Sequence, residues 1–151
     1  MRTLLAALIL IAAPAPAPAD DKPQGDLAKL QGIWKALAGP EKNIPIVLEI
    51  KDKTVRVTVT PPEGEERSLK GEIKIDETKT PKHWDWIKFQ RADGDEAPPN
   101  LAIYKFEGDR TLVICNGGPG NERPTEFQAG EMGRPSLLTF TKQDEEKKGG
   151  Q

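Results

Sequence analysis

Residues able to do chemistry are few in this chain and widely spaced. Cys115 is the lone cysteine and His83 the lone histidine. A thiol becomes a nucleophile as its thiolate, which needs a base or a positive neighbour. Cys115 follows Val113 and Ile114, and His83 stands more than thirty positions away. That context predicts a buried, inert thiol rather than a cysteine–histidine pair. A zinc site wants about four spaced ligands, which one histidine and one cysteine do not supply. Asp93, Asp95 and Glu96 crowd the stretch RADGDEAPP, yet no glutamate follows at the twelfth position of a calcium loop. It reads as a solvated turn. Asn116-Gly117-Gly118-Pro119-Gly120 resembles a phosphate cradle only in its glycines. It lacks the lysine and hydroxyl of a P-loop, and no helix follows, so it reads as a flexible loop. Ser68 and Ser136 have no glycine frame of the nucleophile-elbow type. No catalytic residue, metal or cofactor is implied.

Four other side chains are candidates for binding a ligand or anchoring the fold: Trp34, Tyr104, Arg123 and Phe127. Arg123 lies between Glu122 and Pro124 in a glycine-rich segment. Its planar fork suits either a carboxylate or phosphate ligand or a clamp of ion pair and loop carbonyl. Phe127 and Met132 are the apolar groups available to pin that segment to the body. Trp34 can line a cavity or plug one end of a core. A cation from Arg123 or Lys142 would fit on its face. Tyr104 joins Trp84, Trp86, Phe89, Phe106 and Phe140 as bulky core material.

The elements that must position these groups follow from composition. Leu4 to Ala13 is a short apolar run behind Arg2, ending in alternating proline and alanine. That is the form of a secretory signal peptide over residues 1–19, with cleavage before Asp20. It is too short to cross a bilayer, which takes about 20 apolar residues. The chain is therefore expected outside the cytoplasm, periplasmic or extracellular, with no membrane span after cleavage. The remainder suits one domain. A formal charge of −2 with mixed signs argues against nucleic acid, which calls for a basic stripe. A single cysteine rules out an internal disulfide, so the core alone must hold the domain.

Beyond a polar leader at 20–25, a helical turn is expected from Asp26 through Leu30 with Asp26 as N-cap. Apolar residues then recur with period two. Ile46, Leu48 and Ile50, then Val55, Val57 and Val59, alternate with mostly polar neighbours about an Asp52-Lys53 turn. Strands are also expected over 33–37, 69–75, 84–89, 101–106, 111–115 and 137–141. About eight short strands joined by tight turns predict an all-β, antiparallel up-and-down meander closing into a barrel over 26–142. Residues 116–135 are expected as a loop, and 143–151 as a disordered charged tail.

Two stretches carry a resemblance. Leu30-Gln31-Gly32-Ile33-Trp34-Lys35 is one. The other runs from Ile103-Tyr104-Lys105-Phe106-Glu107-Gly108-Asp109 through Leu112 and Cys115 to Glu122-Arg123-Pro124-Thr125-Glu126-Phe127. In order and spacing they resemble a family of small exported domains of unknown function expanded in planctomycete bacteria. Trp84-Asp85-Trp86 stands where that family has an apolar-Asp-apolar triplet. Ala102 departs from the usual glycine, and Lys142 from a frequent arginine. The family brings no activity with it. Gly32-Ile33-Trp34 is also similar to the opening of lipocalins, which implies a lipocalin-like barrel with Trp34 plugging its closed end. Together these readings lead to a non-enzymatic binding module for a small apolar or amphipathic molecule. The alternative is a structural or protein-interaction domain of the cell envelope with a filled barrel and no ligand.

Overall fold

A computed structural model describes residues 22–144. The expected signal peptide, residues 1–19, lies outside the described residues, as do residues 20–21 of the expected polar leader and 145–151 of the expected charged tail. A five-residue helix, α1 (Asp26–Leu30), is followed by eight strands: β1 (Gly32–Ala38), β2 (Ile44–Lys51), β3 (Thr54–Val59), β4 (Arg67–Asp76), β5 (Lys82–Ile87), β6 (Asn100–Phe106), β7 (Thr111–Pro119) and β8 (Ser136–Lys142). Each strand pairs with the next, and β8 returns to β1, so the meander closes into an antiparallel barrel.

Alternation decides what goes inside. Trp34 and Ala36 on β1, Leu48 and Ile50 on β2, Trp84 on β5, Ala102 and Tyr104 on β6, Leu112 and Ile114 on β7 and Phe140 on β8 fill one continuous core. Leu30 of α1 is buried against the same core, so the helix stoppers one end of the barrel. Asp52 makes the β2–β3 turn at φ 55°, a conformation that aspartate tolerates. The Gln31 side chain latches α1 to that turn. Its amide donates to Leu27 O and Asp52 O, both at 3.0 Å, and its oxygen accepts from Asp52 N at 2.6 Å.

Three expectations are corrected here. Asp26 does not cap its helix: the N-cap position is Gly25, and no side chain caps there. The strand expected over 84–89 begins at Lys82 and ends at Ile87, leaving Phe89 outside it. The segment at 116–120 is not a flexible loop for most of its length, because β7 continues to Pro119. Asparagine side chains make that extension possible. The β6–β7 register shifts between Asn100 and Ala102, and Asn100 Oδ1 accepts from Gly118 N at 2.9 Å. Asn121 Nδ2 donates to Gly117 O at 3.0 Å. Gly117 is required: a Cβ there would stand 2.2 Å from the Glu122 carbonyl oxygen.

Two buried tryptophans differ in one respect. Trp34 Nε1 donates to Leu30 O at 2.9 Å, whereas Trp84 Nε1 has no acceptor among the described residues. Replacing either by phenylalanine removes a similar volume. Only at Trp34 is a buried carbonyl orphaned, which costs about 1–3 kcal/mol. Urea unfolding should therefore place Trp34→Phe below Trp84→Phe by about that amount; equal losses would deny the hydrogen bond its role.

Candidate functional site

The four candidate residues sit in two separate places. Trp34 and Tyr104 are buried at the end stoppered by α1. Lys142 Nζ lies 5.4 Å from the Trp34 ring centroid and donates to Lys29 O at 3.1 Å. Of the two cations expected there, it is Lys142 that stacks on Trp34; Arg123 is on the outer wall. With its ring fully buried, Trp34 fills the barrel end instead of opening it.

Beside Trp34 is a network whose parts are far apart in sequence. Asp26 points into the barrel end. Its Oδ2 accepts from Lys82 Nζ at 2.6 Å and from Tyr104 Oη at 2.9 Å, while its own amide donates to Glu77 Oε2 at 2.8 Å. Burial works to raise the Asp26 pKa. The hydrogen bonds from Lys82 and Tyr104, with the charges of Lys82 and Lys29, outweigh it and hold the carboxyl below its ordinary 3.8. Burial, and then the hydrogen bond to Asp26, push the Tyr104 phenol far above its ordinary 10.0.

The sign of the pH dependence follows. A depressed carboxylate contributes stability that is complete above its unfolded pKa and lost as pH falls through the folded value. A raised phenol contributes stability that is complete below its unfolded pKa and lost as pH climbs past it. Stability should therefore fall off below pH 3.8 and above pH 10. Asp26→Asn should cost about 2–3 kcal/mol at pH 7, the scale of hydrogen bonds to a charged group, and flatten the acid limb. Tyr104→Phe should flatten the alkaline limb. Urea midpoints at acid, neutral and alkaline pH check both.

On the outer wall, Arg123 clamps the β7–β8 loop. Its Nη1 donates to Ala102 O at 2.7 Å and lies 2.7 Å from Asp85 Oδ1. The second contact is an ion pair without an aligned hydrogen bond. Both side chains are about one-fifth exposed, so solvent screens the pair only in part. Pro124 is buried next to it, and the half-buried Phe127 ring lies 4.8 Å from Lys105 Nζ. Met132 pins nothing, being 95% exposed.

Under this loop Cys115 faces outward and is buried, its Sγ 3.6 Å from Gln128 O. Burial raises its pKa, against a smaller opposing effect of the Gln128 carbonyl contact. His83 is also on the outer face, but the register runs His83, Ile103, Cys115 across three strands, so Ile103 stands between them. Burial foremost, and then the Arg123 charge, lower the His83 pKa from 6.5. Asp93 Oδ1 accepts from Asp95 N at 3.0 Å within an exposed turn. Among the described residues no group of three or more metal-ligating side chains converges.

A ligand in the barrel mouth is expected from the sequence, but none of the four candidate side chains stands at the open end, opposite α1. A cavity of about 350 Å³ opens there, with Leu48, Val57, Phe89, Leu138 and Phe140 in its wall. At its inner side Trp86 Nε1 donates to Asn116 Oδ1 at 2.7 Å. Gly71 shapes it: a Cβ at that position would lie 2.4 Å from the Phe89 ring, so glycine lets the ring fold against β4. A larger recess, about 610 Å³, lies on the outside over β1, β2 and β8, with Lys35, Lys42 and Thr139 around it. Its bounding groups are mixed and come from a single side of the wall. The mouth cavity gathers apolar groups from strands all around the barrel.

Comparison with family models, with curated proteins and with solved structures returned no match. The residues themselves must carry the functional reading.

If Arg123 holds the loop over Cys115, Arg123→Ala should raise the labelling rate of Cys115 by a thiol reagent at least about tenfold, the scale of losing a charged hydrogen bond. Protease cleavage within 120–135 should rise in parallel, and Arg123→Lys should restore protection only in part. Fast labelling of the wild-type protein would show that the thiol was never covered.

Proposed function

We propose that this chain is an exported, non-enzymatic binding protein that takes a small apolar or amphipathic molecule in the open mouth of its barrel. The signal-like residues 1–19 and the resemblance to small exported domains support the location. The mouth cavity carries the function. Its volume of about 350 Å³ falls in the range of small-molecule sites, roughly 300–1,000 Å³. Its wall is mostly apolar, with few polar groups to orient a guest, which is the usual composition of such a site. The two ends of the barrel divide the work. Leu30, Trp34, Trp84 and Tyr104 pack the end beneath α1, and the other end stays hollow.

A second reading, a protein-interaction domain, draws on the outer wall. Leu37 and Leu137 are exposed, and both border the recess over β1, β2 and β8. This places apolar groups where another protein could meet them. The mouth reading is preferred because its apolar wall is concave and shared by many strands.

N-phenyl-1-naphthylamine, whose emission rises in apolar surroundings, distinguishes them. It should bind the wild-type protein in a saturable way. Leu138→Trp, which fills the mouth, should weaken it at least about tenfold, a loss of roughly 1.4 kcal/mol, while the melting temperature holds. Undiminished binding by a folded Leu138→Trp protein would remove the mouth as the site.

A further inference from the structure

The wall of the mouth cavity carries a charge of one sign only. Arg91 is the single charged side chain in the cavity wall, which contains no carboxylate. Among the described residues, no aspartate or glutamate lies within 4.0 Å of its guanidinium. The acidic neighbours Asp93, Asp95 and Glu96 are exposed and take no part in the wall.

The backbone that carries Arg91 is held in place. Arg91 N donates to Asp95 O at 2.8 Å, and Gly94 N to Arg91 O at 3.0 Å. Below them Gln90 bridges Glu96, and Ala97 N donates to Phe89 O at 2.6 Å. The short hairpin thus seats the exposed Arg91 at the rim, two residues after Phe89, whose ring is part of the apolar wall. A cation at the lip of an apolar hollow matches a molecule with the opposite polarity at one end. The guanidinium fork offers two parallel donors to a carboxylate or a sulfate-type head. The hollow below it, about 350 Å³, is at the lower end of the range of small-molecule sites, which suits a single short chain.

We propose that the mouth binds a free single-chain amphiphile with an anionic head, its tail in the cavity and its head on Arg91. This rests on the mouth being the binding site, and it adds the sign of the head and the residue that reads it.

The test uses the full chain and three twelve-carbon probes below their micelle concentrations: dodecanoate, dodecanol and dodecyltrimethylammonium. Each is followed by N-phenyl-1-naphthylamine displacement and by the change in tryptophan fluorescence that is lost in Trp86→Phe. Dodecanoate should bind about five- to tenfold more tightly than the other two at low salt, as for a partly exposed charged contact. The preference should shrink as salt rises. Arg91→Ala should abolish it and Arg91→Glu should invert it toward the cationic probe. Lys74→Glu, on the outer face of β4, changes net charge equally and should leave it intact. If the three probes bind alike in wild type and Arg91→Glu, the head assignment falls and the apolar mouth stands. If none binds and N-phenyl-1-naphthylamine is not retained, the mouth itself fails. If the protein floats with dioleoylphosphatidylglycerol vesicles and Arg91→Glu abolishes this, the anion belongs to a membrane and the single-chain claim is overturned.

Discussion

One buried carboxylate holds the closed end of the barrel together. Asp26 brings a helix of five residues, too short to be stable alone, onto the rim of the sheet by engaging Lys82 on β5 and Tyr104 on β6. A buried charge with a missing partner is costly, so all three groups must arrive together. Their arrival sets Leu30 over the core and puts the Leu30 carbonyl where Trp34 can donate to it. Gln31 and Lys142 then tie the same helix to the β2–β3 turn and to the last strand. The stopper is a polar clasp with an apolar underside.

With one end closed in this way, the other is free to remain open. A barrel of eight strands encloses just enough space for side chains to fill or for one small guest. Here the aromatic residues are unevenly distributed along the axis. Trp84 contacts Trp86 at 5.1 Å and Tyr104 at 5.6 Å between centroids, which makes a tilted aromatic floor across the middle. Above that floor the wall residues are smaller or turned aside, as Phe89 is against Gly71. The hollow therefore comes from where the large residues stand, not from a shortage of them.

The period-two alternation of valine, isoleucine and leucine made the eight strands and their inward faces legible before any coordinates. Local pattern was less informative where a residue's partner is distant. Asp26 reads as a helix cap because an aspartate before Leu27 usually is one; its true partners lie 56 and 78 positions away. Asn116-Gly117-Gly118-Pro119 reads as a loop because glycine and proline oppose ladders. Asn100 and Asn121 replace the missing regularity from other segments. Arg123 was recognisable as a loop anchor or a ligand group, and the choice of Ala102 and Asp85 as partners needed the third dimension. The mouth had no local signature, since Gly71 and Arg91 matter only through what they face.

The closing seam differs in kind from the other seven pairings. β1 and β8 share two register positions, Trp34 with Lys142 and Lys35 with Thr141, where neighbouring strands share five to seven. The seven are between consecutive strands and cost little chain entropy to form. The seam joins segments a hundred residues apart and bears the largest single loop-closure cost. Assembly can thus run as an open, growing sheet that becomes a cylinder only at the end. The two ladder positions that complete it adjoin the clasp at Asp26, so the last strand to arrive and the helix that stoppers the barrel secure each other.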